Sequence, residues 1–174
     1  MGETVKLKES GSSTAGTEGK YLTFSLGAEE FGISILKVKE IIGMMPIRSM
    51  PRAPRFIKGV INLRGKVIPI LDLRLKFGLE ELEPTERTCI IVVEVGEQEA
   101  PVLTGIVVDS VSEVLSIKGS DIEGIPAVGF RLDMDYIRGM AKTDKSVRVL
   151  LNIDRVIQDR AWTSCGKALG PEKV

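Results

Sequence analysis

Large apolar residues begin to recur regularly at Tyr21. Leu22, Phe24 and Leu26 alternate with Thr23 and Ser25; Phe31, Ile33 and Ile35 alternate with Gly32 and Ser34. A period of two turns one face of a strand toward a core. The pattern predicts a hairpin with Gly27-Ala28-Glu29-Glu30 as its turn. In the next stretch Val38, Ile41, Ile42 and Met45 fall at helical spacing, yet the residues are β-branched. A strand ending in a helical turn satisfies both signals. Pro46, Pro51 and Pro54 mark a loop. Strands are predicted over 56–63 and 67–71, joined at Arg64-Gly65-Lys66, where Gly65 is free to take positive φ. Pro69 points to an edge or a bulge. Asp72 is placed to cap a short helix through Phe77, with Gly78 as its stop. Further strands follow over 88–95, 102–111, 114–117, 136–141 and 147–152, then a short helix from Asp154. Residues 1–19 hold almost nothing large and apolar and read as a disordered tail; 159–174 read as a tail or short helix. Residues 80–87 are acidic, contain Pro84 and form the candidate linker between two halves, 20–84 and 85–158. Short strands with glycine-rich turns argue for an all-β fold of small barrels.

The halves resemble each other. The run from Gly32 to Ile41 lines up with the run from Gly105 to Val114, six of ten positions being identical or exchanging Ile for Val. Phe56-Ile57-Lys58-Gly59 matches Tyr136-Ile137-Arg138-Gly139, and Leu71-Asp72 matches Ile153-Asp154. The order is kept while the offset grows from 73 to 80 to 82 residues. This reads as two copies of one β unit, with closure into barrels removing exposed edges.

Composition narrows the chemistry. Lys+Arg and Asp+Glu both number 24 in 174 residues. That balance gives no electrostatic reason to bind nucleic acid or an anionic membrane. There is no histidine, which removes the usual general base and the commonest metal ligand. A Ser-His-Asp or Cys-His arrangement is therefore excluded. Cys89 and Cys165 are too few and too far apart for a disulfide framework or a zinc site. Cys89 sits in an apolar run and reads as a core thiol, which fits a reducing cytoplasm. No secretory signal follows Met1, no apolar run is long enough to span a bilayer, and no glycine-rich phosphate loop is present. No cofactor or metal is expected.

Four sets of residues stand out. Glu40 and Glu113 occupy equivalent places in the repeat; they are a conceivable catalytic pair, or edge residues making similar structural or partner contacts. Asp72 and Asp154 also repeat, and helix capping accounts for both. Arg64 stands where Asn or Asp is usual in a tight hairpin. It is a solvated turn residue, a partner contact, or a clamp onto a nearby carboxylate such as Glu40. Val38, Ile41 and Ile42 are plain core, or an apolar strip on which a partner helix docks.

The run from Phe31 to Ile41, the run from Pro51 to Arg74 (PRAPRFIKGVINLRGKVIPILDLR) and the run from Gly105 to Leu115 together resemble the CheW family. The resemblance covers about residues 20–158, in order. It implies two SH3-like five-stranded β-barrels packed side by side with short helices, elements possibly being exchanged between halves. It also implies a non-catalytic, cytoplasmic adaptor, associated with membrane receptor arrays, that couples chemoreceptor signalling tips to the regulatory domain of the histidine kinase CheA. The positions matching the family's receptor groove are Val38, Glu40, Ile41, Arg64 and Val114. The kinase contacts map to the loop 119–132, including Glu123 and Val128, which depart from the basic and aromatic residues frequent there. Receiver-fused and kinase-embedded forms do not fit in this length, so a stand-alone adaptor is expected, in motility or in another chemosensory pathway. A carboxylate enzyme in the inter-barrel groove and a small nucleic-acid-binding barrel are the alternatives from other classes.

Overall fold

The computed structural model describes residues 18–96, 101–124, 134–142 and 146–158. The first alternating runs form the expected hairpin of β1 (Gly19–Leu26) and β2 (Glu29–Ser34), with Phe24 opposite Phe31. A 3-10 turn at Ile35–Lys37 comes next, its first free amide capped by the Ser34 side chain. Then comes β3 (Val38–Gly43). The helical signal here therefore belongs to a turn before the strand, whereas the spacing suggested one at its end. β4 (Ile57–Leu63) and β5 (Lys66–Asp72) form the second hairpin. Its turn residues Arg64 and Gly65 have φ of 51° and 87°, and positive φ at both central positions matches the right-handed twist of the flanking strands.

Of the edge or bulge expected at Pro69, the edge is corrected, while the pairing with β4 does shift register between Ile57 and Gly59, opposite Leu71 and Ile70. β5 lies inside its sheet, but its pairing with the next strand begins only at Ile70, so the missing Pro69 N–H faces no ladder on that side. Asp72 accepts from the backbone amides of Arg74 and Leu75 and starts α1 (Leu73–Lys76), and Gly78 ends it at a φ of 82°.

β6 (Cys89–Val95) follows the acidic segment. The apolar stretch expected as one strand over 102–111 divides into β7 (Val102–Val108) and β8 (Ser110–Ile117), with Asp109 alone between them. A two-residue β9 (Ile122–Glu123), β10 (Ile137–Lys142), β11 (Val147–Leu151) and α2 (Ile153–Ile157) complete the order.

The strands form two sheets, β8-β1-β2-β11-β10-β9 and β3-β6-β7-β5-β4. They match position for position: β8 with β3, β1 with β6, β2 with β7, β11 with β5, β10 with β4. An isolated bridge of Arg48 to Val60 lies beside β4 where β9 lies beside β10. Each sheet has one parallel pair at its centre, β2 with β11 and β7 with β5. These are the two SH3-like barrels, and the repeat is their common plan. The strands are exchanged between them: β3 follows β2 yet pairs with β6, and β8 follows β7 yet pairs with β1. Each sheet thus takes strands from both sides of the acidic segment.

The ladder also fixes the register of the repeat. Ile41 faces Ile91 and Val114 faces Leu22. This sets Leu22 against Ile91 and Gly27 against Gly96, an offset of 69 residues in the first hairpins. The last matched pair needs correcting. Asp72 donates its backbone amide to the Phe56 carbonyl at 2.7 Å, and Asn152 donates to the Tyr136 carbonyl at 2.7 Å. The counterpart of Asp72 is therefore Asn152, which caps α2, and Asp154 sits where Arg74 sits.

Glycines at the parallel pairs are required by close approach. A Cβ on Gly105 would lie 2.6 Å from Ile70 Cδ1 and 2.8 Å from Ile90 Cγ2, and one on Gly32 would lie 3.1 Å from Leu150 Cδ2.

The core has three parts. Ile61, Ile68, Ile70, Ile90 and Val92 fill the five-stranded barrel; Tyr21, Ile117, Ile122, Ala141 and Leu150 fill the six-stranded one. The largest cluster lies between them and draws Leu22, Phe24 and Ile33 from one sheet and Ile91, Val93 and Ile106 from the other, with Leu73 and Val156 from the two helices. The continuous run in β6 follows from this: Ile90 and Val92 point into the barrel, and Ile91 and Val93 point into the shared core, so both faces are buried. Each such buried side chain contributes ~1.5–3 kcal/mol.

Carboxylates lock the two units where the chain crosses between them. Asp109 Oδ2 lies 2.6 Å from Arg74 Nη1 and accepts the Gly27 amide at 2.7 Å. At the matching place Asp154 Oδ2 lies 2.8 Å from Lys37 Nζ and Oδ1 accepts the Gly96 amide at 3.1 Å. The charges are inverted between the copies. In one the cation is on the helix and the anion at the crossover; in the other the order is reversed.

Candidate interaction surface

β3 is an edge strand of its sheet, and its exposure alternates. Val38 and Ile42 are half-buried and pack on the shared core and on the five-stranded barrel's core, respectively. Ile41 faces outward at 45% exposure. The apolar strip thus divides into two core residues and one surface residue. Arg64 stands at the tip of the neighbouring hairpin, and its Nη2 donates to Glu40 Oε1. The Asn62 side chain accepts the Gly65 amide at 2.8 Å and stiffens the turn. Glu40 and Arg64 therefore form an ion pair on one side of β3, and Ile41, the next residue along the strand, is exposed on the other side. Lys39 adds an ion pair with Glu94 at 3.0 Å.

Val114 is 48% exposed but lies on β8, an edge strand of the other sheet. It is the counterpart of Ile41 and not its strand neighbour. Val67 and Val147, also counterparts, are exposed too, so each barrel shows the same two apolar surface positions. The two repeated glutamates are separated as well. Glu40 meets Arg64, whereas Glu113 is on the second sheet, 4.0 Å from Arg148 Nη2. Arg148 itself is paired with Glu30 at 2.8 Å. The two carboxylates thus lie beside different arginines, and Glu113 shares its arginine with Glu30.

Glu123 is exposed at the far edge of the six-stranded sheet, where its carboxylate lies 2.6 Å from Lys142 Nζ and raises the Lys142 pKa by that hydrogen bond. Val128 lies outside the described residues. Glu81, held by Lys58, has its carboxyl pKa lowered by that side-chain hydrogen bond. Burial raises the Cys89 thiol pKa, although the residue is only half-buried. Among the described residues no group of three or more His, Cys, Asp and Glu side chains is placed to hold a metal ion, and no helix is long and apolar enough to cross a membrane.

Sequence reasoning missed Leu36. At 88% exposure it is the most exposed large apolar residue described. It borders a groove of about 400 Å³ lined also by Glu18, Lys20, Tyr21, Lys37 and Arg138. The available signal was the repeat itself, which places polar Asp109 at the equivalent position.

The family model described as the CheW-like domain matches residues 20–161. The chain is 40% identical over 144 residues to the chemotaxis protein CheW of Klebsiella aerogenes, covering 83% of each chain. It is 34% identical over 149 residues to the chemotaxis protein CheW of Bacillus subtilis, covering 85% of this chain and 92% of that one. Among solved structures it is similar to the scaffolding protein CheW of Thermoanaerobacter tengcongensis. There the TM-score is 0.74 and the identity 34%, with 83% of this chain and 95% of that one covered. Two interlocked SH3-like barrels, carried by a sequence this close to proteins of one name, lead to one conclusion: this chain belongs to the CheW family of chemotaxis scaffold proteins.

Proposed function

We propose that the chain is a non-catalytic adaptor that joins chemoreceptor signalling tips to the regulatory domain of a histidine kinase. Its place is the cytoplasmic face of membrane receptor arrays. The observation that carries this reading is edge strand β3 with its neighbouring hairpin. Ile41 offers an apolar contact, while Arg64, fixed by Glu40, offers a planar set of donors. A partner helix laid along this edge buries its apolar side against Ile41 and pairs its acidic residues with Arg64. Val38 supports the strand from beneath, and Val114 repeats the apolar position on the second barrel. The kinase is assigned to Glu123, on the far edge of the six-stranded sheet, and to Val128. Individually weak contacts of this kind gain strength when many copies are held in one array.

Co-sedimentation of the full chain with receptor signalling tips and with the kinase regulatory domain tests the reading. Ile41→Glu and Arg64→Glu are expected to abolish receptor binding and leave kinase binding intact. A folded wild-type chain that binds neither would overturn it. Ile41 is a cleaner probe than Val38, whose substitution also disturbs the core.

A further inference from the structure

The two barrels differ at one matched place. In the five-stranded barrel the segment after α1 folds back over the crossover. The Glu80 carbonyl accepts from Arg74 Nε at 2.8 Å, Glu81 is held by Lys58, and Leu82, Thr85 and Thr88 share a small cavity with Val107 and Asp109. In the six-stranded barrel the counterparts of Val107, Asp109 and Thr88 are Ser34, Leu36 and Gly19, all of which line the open groove. The counterpart of Lys58 is Arg138, which lines it too. One copy of this place is therefore covered by a chain segment. In the other, none of the described residues covers it, and a leucine is left in solvent. The fold does not need an apolar side chain there, since Asp109 serves at the same position.

We propose that the groove is covered by this chain's own C-terminal residues 159–174, with Trp162 seated on Leu36. The covering segment in the first copy directly follows α1; residues 159–174 directly follow α2. The register carries Leu82 to Trp162 at the same 80-residue offset that relates Gly59 to Gly139. Reach is not a constraint. Asp154 in α2 already touches Lys37, next to Leu36, and four residues from Gln158 span up to ~13 Å. The groove's chemistry also suits this residue. An indole covers apolar surface and takes a cation on its face, and Lys20, Lys37 and Arg138 border the site. Lys76 already uses this contact in the protein, with its Nζ 4.2 Å from the Phe56 ring centre.

Trp162 is the single tryptophan of the chain, so its fluorescence reports the contact without labelling. The wild-type chain is expected to show blue-shifted emission and an acrylamide quenching constant about threefold below that of a free tryptophan amide, independent of protein concentration. Leu36→Gln and Leu36→Ser should shift emission to the red and raise quenching to the free value with an unchanged far-UV circular dichroism spectrum. Val67→Gln, on the other barrel, should change neither. Any of three results overturns the proposal: a wild-type tryptophan already quenched like the free amide, shielding that survives both Leu36 substitutions, or shielding lost on dilution, which would assign the contact to a second copy.

Discussion

Arg64 holds a backbone conformation that asparagine or glycine adopts with less strain. A left-handed φ costs an ordinary residue ~1–2 kcal/mol, and the hairpin keeps an arginine there, aimed at Glu40. Strain kept at an exposed tip is a mark of use. Arg64→Asn should therefore raise stability by about 1 kcal/mol while weakening receptor binding at least about tenfold. Urea unfolding and co-sedimentation of the same preparation check both halves; a variant that binds as well as wild type would return Arg64 to the role of a solvated turn residue. Asp72 gives a second residue-level expectation. It is 6% exposed, and burial raises its pKa above the ordinary 3.8 despite the pull of the Leu75 and Arg74 amides. A raised folded-state value means that the native state binds a proton more tightly than the unfolded chain. Its contribution to stability therefore falls as pH rises from about 4 through the folded value and is flat above. Asn152 shows that an amide caps the matching helix. Asp72→Asn should thus gain stability relative to wild type between pH 3.5 and 7, whereas Asp72→Ala should lose about 1 kcal/mol with the cap. Urea midpoints across that range decide it, and a difference independent of pH would remove burial as the cause.

Among the elements, the crossovers carry the strongest constraint. Arg74 is nearly enclosed where it meets Asp109, while Lys37 is more exposed where it meets Asp154. Removing Asp109 leaves the nearly enclosed Arg74 without its carboxylate, while the exposed Gly27 amide exchanges Asp109 for water. Asp109→Ala is expected to cost about 2–3 kcal/mol and Lys37→Ala under about 1 kcal/mol, read from denaturant midpoints. Equal effects would mean that burial does not distinguish the pairs. The inverted charges also select partners, since joining each crossover to the wrong helix would set Lys37 against Arg74 and Asp109 against Asp154. How much of this was legible varied with range. Alternation in Leu22-Thr23-Phe24 and the turn at Gly65 are local, so strands and hairpins could be read directly. The three matched runs disclosed two copies of one unit. What could not be read was partner choice. Nothing in Gly105-Ile106-Val107-Val108 states that the chain changes sheets at Asp109, because that depends on which distant strand pairs with Val114. The same limit explains the misplaced Asp154, for which a two-residue match could not distinguish an offset of 82 from the true 80. At the site, the Arg64 clamp onto Glu40 was accessible from turn chemistry and the repeat, whereas the outward position of Leu36 required the surrounding fold.

At the scale of the molecule, the exchange of β3 and β8 makes each half of the chain incomplete. Residues 20–84 contain β1 and β3 but neither β8 nor β6, on which those strands pair; residues 85–158 lack the converse partners. The largest core cluster draws on both halves as well. A fragment of either half would expose most of that cluster and two open sheet edges, which a unit of this size cannot offset. Each fragment alone should therefore be unfolded by circular dichroism. Mixed in equal amounts they should rebuild the native spectrum, because the missing ladders are supplied in trans and the cut falls in the exposed acidic segment rather than in a strand. The intact chain should unfold in a single transition with coincident probes. A fragment that folded alone would show that its barrel is autonomous, and the crossovers would then be a tether between independent units. If only the mixture folds, the two barrels are one cooperative body, and a partner pressing on β3 of the first acts on the same core that positions β8 and β9 of the second. If the two proposed partners dock at β3 and at β9, that shared core would keep the spacing between them fixed.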